Sequence, residues 1–189
     1  MIQSRHWLIF GAIFIVAGVL YNVFSRNETS TPTFFGPKTQ KVFDYSMKNI
    51  IQREFNAEGK LQSQLQAKQL IHYPETDEAN LELPQFKFNK GNTLWSLQAD
   101  RALYNESQQQ LKLLENVTVD SQTQSTQSTH LKTTELTLNI LTKQAFSPYP
   151  VHIFNDKWSI EGVGLNINLE KQSIEILERV YSSNDIQNH

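Results

Sequence analysis

With 189 residues and a formal charge of −2, the chain is long enough for one domain of ordinary size plus an appendage. It has no charge excess with which to hold a nucleic acid, and no basic stripe that would mark one as a partner. It also has no cysteine, which excludes disulfides, thiolate catalysis and cysteine metal sites while leaving the compartment open.

Residues 1–6 form a short tail. Trp7 to Phe24 (WLIFGAIFIVAGVLYNVF) is an apolar run whose only strongly polar member, Asn22, lies near its end. As a helix this run spans roughly 27 Å, close to the hydrocarbon thickness of a bilayer. Trp7 and Tyr21 fall where amphipathic rings favour the interface. A cleavable signal peptide would have a shorter apolar core and a convincing small-x-small site behind it, so an uncleaved single-pass anchor is expected over residues 7–24. Arg5 before the run and Arg26 after it give little orientation bias, but so short a tail is easier to leave in the cytoplasm than a folded body. The body is therefore expected outside the cytoplasmic membrane. Gly11 and Gly18 share a helix face, which suits close approach by another membrane helix or simply reflects how common glycine is in such helices. Residues 25–44 (SRNETSTPTFFGPKTQKVFD), with Pro32, Pro37 and a Ser/Thr cluster, read as an extended tether, and 45–189 as the folded domain.

From Phe43 onward apolar and polar residues alternate, the pattern of strands buried on one face. The alternation repeats. LQAKQLIHY (Leu65–Tyr73), LQADRALYN (Leu97–Asn105), LKTTELTLN (Leu131–Asn139) and IEGVGLNIN (Ile160–Asn168) stack with small residues at their third positions, spaced 32, 34 and 29 apart. LPQFKF, LENVTV, YPVHI and LERVYS follow at similar offsets, so each unit is a strand pair of about thirty residues that buries its neighbour's apolar face. Within strands the parity slips. Trp95, Leu97 and Ala99 share a face while Ala102 and Tyr104 take the other, and Leu81 and Leu83 stand against Phe86 and Phe88 with Pro84 at the break. Such slips suit strands that bend from one layer into the next. The architecture expected is all-β: a curved, two-layered antiparallel sheet of repeated strand pairs, open at its ends.

The inward positions are Leu65, Ala67, Phe86, Phe88, Trp95, Leu97, Leu111, Leu113, Val117, Val119, Val151, Ile153, Trp158, Ile160, Ile174 and Ile176. Each is equally at home in a solid core, but together they can line a groove for an acyl chain. The sheet ends are expected around Ile50, Ile51 and Phe55 and along Ile174, Ile176 and Val180, where unpaired edges can take another chain's strand.

Neither a phosphate-binding glycine loop nor a G-x-S-x-G elbow nor a dinucleotide fingerprint is present. His6, His72, His130, His152 and His189 have no ligand-like spacing, and no carboxylate pair suggests acid/base work. No catalytic residue, metal or cofactor is expected, and the protein does not read as an enzyme.

FNAEGKLQSQLQAKQLIHY (Phe55–Tyr73), PQF (Pro84–Phe86), WSLQADRALY and LENVTV, with the spacing of Ala99, Ala102 and Tyr104 and the turn at Asn116-Val117, resemble the lipopolysaccharide export protein C (LptC) family. The order of tail, anchor, tether and β-domain matches as well. That resemblance implies an open antiparallel β-jellyroll behind one N-terminal transmembrane helix, held in the inner membrane with its domain in the periplasm. It implies that lipopolysaccharide comes from an inner-membrane ABC transporter at the N-terminal end and passes to a soluble periplasmic β-jellyroll bridge protein at the C-terminal edge. A scaffold that docks these partners by its edges without carrying lipid is the alternative. The third repeat departs in carrying Thr133 and Thr134 where the others carry alanine or glycine.

Overall fold

Alternating apolar residues make extended backbone the conformation that buries one face of this chain, and the computed structural model is all strand. It describes residues 43–90, 92–123, 126–139, 141–142, 144–168 and 173–184. The expected tail, anchor and nearly all of the tether lie outside these residues, and among those described no helix is long and apolar enough to cross a membrane.

The strands are β1 (Tyr45–Phe55), β2 (Leu61–Tyr73), β3 (Glu78–Glu82), β4 (Gln85–Lys90), β5 (Thr93–Gln98), β6 (Arg101–Asn105), β7 (Gln110–Thr123), β8 (Thr126–Asn139), β9 (Gln144–Phe154), β10 (Trp158–Asn168) and β11 (Ser173–Asn184). All pair antiparallel in one 11-stranded sheet. β3 and β4 are one long strand interrupted, as are β5 and β6. β2 pairs Gln69 with Glu82 of β3 and Gln66 with Gln85 of β4, and the register runs straight through the break. Seen this way the sheet is a meander in which each strand hydrogen-bonds its sequence neighbours, with β1 and β11 at the two ends. The repeats of the sequence are its hairpins: β2 with β3/β4, β5/β6 with β7, β8 with β9, and β10 with β11.

Asparagines shape the turns. The Asn56 side-chain oxygen accepts from the backbone N–H of Lys60 (2.8 Å), Asn105 from Gln108 (2.8 Å), Asn139 from Thr142 (2.8 Å), and Asn155 from both Lys157 (2.8 Å) and Trp158 (3.0 Å). These bonds close the reversal locally, which is why asparagine recurs there.

A second line of special backbone crosses the middle of the strands. Asn49, Leu83, Glu115, Asn116 and Arg179 have positive φ without being glycine, and Gly164 lies at φ 77°. Four of the strand pairings slip register in the same zone, between Leu114 and Val117, Thr133 and Thr137, Val163 and Leu165, and Glu161 and Val163. Across this zone the inward parity reverses on β2, β8 and β10 but is kept on β7, where Leu111, Leu113 and Val117 all face inward, and on β9, where Ala145, Ser147 and Val151 do. Buried residues on both sides of the line nonetheless belong to one core cluster, Leu111 and Leu113 together with Phe86, Leu97 and Val117, so the sheet is folded over on itself along that line. At the slip expected beside Pro84, the structure places Leu81 inside but turns Leu83 out to solvent, because Leu83 itself holds the left-handed conformation (φ 49°).

The N-terminal half of the interior is filled by aromatic bulk: Phe86, Phe88, Trp95 and Tyr104 are almost wholly buried, and the rings of Phe88 and Trp95 lie parallel with centroids 6.3 Å apart. Trp95→Ala is expected to lower the unfolding free energy by about 3–5 kcal/mol, and Trp95→Phe by much less. Denaturant titration of both variants checks this.

Candidate functional site

The inward side chains form rows that run across the sheet from strand to strand. In one, Leu65, Phe86, Leu97, Val119, Leu131, Ile153 and Ile160 succeed each other as register partners from β2 to β10, and Ile160 then faces Ser182 of β11. In the opposing layer Tyr104, Leu111, Leu138, Ala145, Ile167 and Ile174 do the same from β6 to β11. Beside it Ala102 meets Leu113, Leu113 meets Leu136, and Leu165 meets Ile176.

The candidate residues taken from alternation fall on this interior. Leu65, Ala67, Phe86, Phe88, Trp95, Leu97, Leu111, Leu113, Val117, Val151 and Ile153 are buried in the core cluster, whereas Val119, Trp158, Ile174 and Ile176 pack against it half-buried. Ile160 is half-buried too. The half-buried members of the rows lie toward β11 (Ile160, Ile174, Ile176), apart from Val119 on β7, and Tyr45, Met47 and Ile50 of β1 are half-buried at the other end. Leu97 and Leu113 have no exposed surface and Ile167 only 3 %, while Val180, on the final strand, is 54 % exposed. The side chains also thin out in that direction. Thr133, Ser147, Gly162 and Gly164 occupy the bend where β8 to β10 cross it, in place of the rings of β4 and β5.

Leu131, Leu136, Leu138, Ala145, Leu165 and Ile167 belong to the same buried rows and are absent from the expected set. Their signal lies in LKTTELTLN and LNIN, where the parity slip between Thr133 and Leu136 hides a continuous inward face. Thr133, the departure from the small-residue pattern, points inward. Its hydroxyl lies 3.0 Å from both the Ser147 hydroxyl and the Pro150 carbonyl, so the buried polar atom is satisfied at the bend.

Gly162 leaves no room for a side chain: a Cβ there would lie 2.3 Å from Ile176 Cγ2 and 3.0 Å from the Glu178 carbonyl oxygen. Any side chain must displace the Ile176 side chain or push the last strand outward.

The two ends differ in character. On β1, Ile51 and Phe55 are exposed and Ile50 is half-buried. The start of this strand is pinned: His72 Nδ1 lies 2.7 Å from Asp44 Oδ1, and the His72 ring stacks on Tyr45 at 4.8 Å. Burial, reinforced by the carboxylates of Asp44, Glu106 and Asp77, pushes the Tyr45 phenol well above its ordinary range. It stays neutral on its stacking partner. On β11 everything from Leu177 to Asn184 is exposed, including Tyr181. Among the described residues β11 pairs only with β10.

An antiparallel sheet folded around apolar rows, with an exposed terminal strand, defines a β-jellyroll with an open edge. A solved structure of that kind, described as LptH, the LptA-homologous periplasmic component of the lipopolysaccharide transport device from Pseudomonas aeruginosa, is similar with a TM-score of 0.51. The similarity covers 64 % of this chain and 93 % of that one at 8 % identity, and so concerns the fold. No curated protein sequence matches the chain. The sequence model of the family described as "Lipopolysaccharide-assembly, LptC-related" matches residues 10–185, and the chain belongs to that family.

Gly162→Ala is expected to destabilise the domain by about 1–3 kcal/mol and to raise amide hydrogen exchange along β11 while leaving β4 and β5 protected. Hydrogen-exchange mass spectrometry distinguishes this local release from global unfolding.

Proposed function

We propose that this lipopolysaccharide-assembly protein carries the acyl part of lipopolysaccharide between its two layers and delivers it at β11. The observation that supports this most is the course of the inner rows, apolar from β2 to β10 and half-buried at Ile160 and Ile174 where they reach the last strands. Acyl chains gain by leaving water for such a surface at roughly 0.8 kcal/mol per buried CH2. A long chain would be trapped by a deep closed pocket, whereas an open-edged row lets it leave stepwise.

Entry between the layers requires them to part. Away from the bend they are held by side-chain packing, because the backbone bonding runs along the sheet rather than across the interior. Opening therefore sacrifices apolar contact, which the incoming chain replaces, and leaves the hydrogen-bond ladder intact. The residues at the bend serve as the hinge.

In the same account, residues 7–24 anchor the chain in the inner membrane, the domain lies in the periplasm, and an ABC transporter supplies both cargo and energy at the β1 end. The bare N–H and C=O groups of β11 pair with the first strand of a soluble jellyroll of related fold, which continues the inner rows into the next domain. The burial of Leu65, Leu97 and Leu113 supports a second reading, a filled scaffold that aligns partners through its edges without lipid.

Ile176→Asp discriminates between them. It places a charge on the half-buried end of one row, and lipid transfer to the periplasmic acceptor in reconstituted membranes is expected to fall by about tenfold or more, the effect of some 1.4 kcal/mol at the step that crosses it. Co-purification with the acceptor should persist. Unchanged transfer by a folded, docked variant would favour the scaffold.

A further inference from the structure

We propose that the outward face of β7 to β11 carries a second site, for an anionic saccharide. Thr118, Lys132, His152, Glu161 and Tyr181 are successive register partners on five neighbouring strands, and their outer side, with Arg179, lines a depression of about 700 Å3. That is a volume in which small ligands are commonly held. Val117, Thr133, Val151 and Gly162 also line it, and their strands are paired with one another. It therefore offers no free ladder for a peptide strand, and recognition falls to side-chain tips.

Those tips are mixed in chemistry and partly fixed. Lys132 Nζ stands 5.4 Å from the centre of the Phe154 ring, and the same ring stacks on His152 at 4.4 Å. His152 Nε2 is 2.8 Å from the Ser159 hydroxyl and 3.7 Å from Glu161 Oε1. Among the described residues neither Lys132 nor Arg179 has a carboxylate within ion-pairing distance, so two cations stand ready for an anionic group. Glu161 opposes a bare or multiply charged anion but accepts hydrogen bonds from hydroxyls, as Thr118 also does. Tyr181, 73 % exposed on the open edge, offers a flat face to the C–H side of a sugar ring. Cations, hydroxyl acceptors and an unburied ring together fit a sugar that carries one phosphate or carboxylate.

Thr118, Lys132, His152 and Glu161, which carry the polar chemistry of the site, have the parity opposite to the inner residues of their strands, so binding there is separable from the groove. The full chain in uncharged lipid nanodiscs can be titrated with glucose 1-phosphate, glucose and inorganic phosphate and followed by saturation-transfer NMR. Glucose 1-phosphate should bind about tenfold or more tightly than either fragment, as expected when charge-assisted bonds and ring contacts act together. The doubly substituted Lys132→Gln, Arg179→Gln protein, with unchanged melting, should lose that binding, while Ile176→Asp should keep it. Binding of phosphate alone with equal affinity, indifference to the double substitution, or preference for an acidic peptide would each overturn the proposal. A phosphorylated saccharide with and without acyl chains then separates sources. Equal loss of both in the double variant assigns a lipid headgroup, and loss of the acyl-free form alone assigns a soluble sugar.

Discussion

The bend that each long strand makes at its midpoint is the constraint on which the rest of the molecule depends. A strand has a side-chain period of two, so one face of a flat meander would bury its apolar residues against nothing. Folding the sheet over gives that face a partner, and each strand must absorb the bend locally, by reversing its inward parity as β2, β8 and β10 do or by extra residues that keep it as on β7 and β9. The chain meets this demand with left-handed residues at Asn49, Leu83, Glu115, Asn116 and Arg179, with Gly164, and with register slips in β7 to β11. Such conformations cost something at non-glycine positions, and the core cluster shared by both layers offsets it.

The same geometry gives the domain its directionality. Because neighbours in sequence are neighbours in the sheet, the inner rows run from the β1 end to β11, and changes in side-chain size along the sequence become changes in interior filling along the path. Rings on β4 and β5 fill one part; threonine, serine and glycine at the bend of β8 to β10 leave another lightly furnished. A meander also has two end strands by construction. One is pinned near Asp44 and His72 where the tether would enter, and the other stands open.

Much of this is legible in the amino-acid sequence. The thirty-residue period is the hairpin, the slip between Ala99 and Ala102 is the break between β5 and β6, and the first and last strands follow from repeat order. Other features are not, for physical reasons. A leucine at a slip can go either way, since one left-handed residue decides it, and Leu83 goes out. Thr133 reads only as a departure from the other repeats until Ser147 and Pro150 are brought beside it by a pairing fourteen or more residues away. Above all, a sealed core and an apolar conduit have one composition. Leu97 and Ile174 obey the same alternation, and only their distance from the sheet's end makes one inaccessible and the other half-exposed.

The central claim, that the inner rows conduct an acyl chain toward β11, is tested most directly by site-specific photo-crosslinking in membranes containing the transporter, ATP and lipopolysaccharide. A photoreactive residue would replace Ile174, Ile167 or Leu111 along one row, with outward Lys112 as control. The account predicts ATP-dependent lipid adducts at all three row positions and none at Lys112. Adducts to partner proteins alone, with no lipid at any row position, would contradict it and leave a closed scaffold.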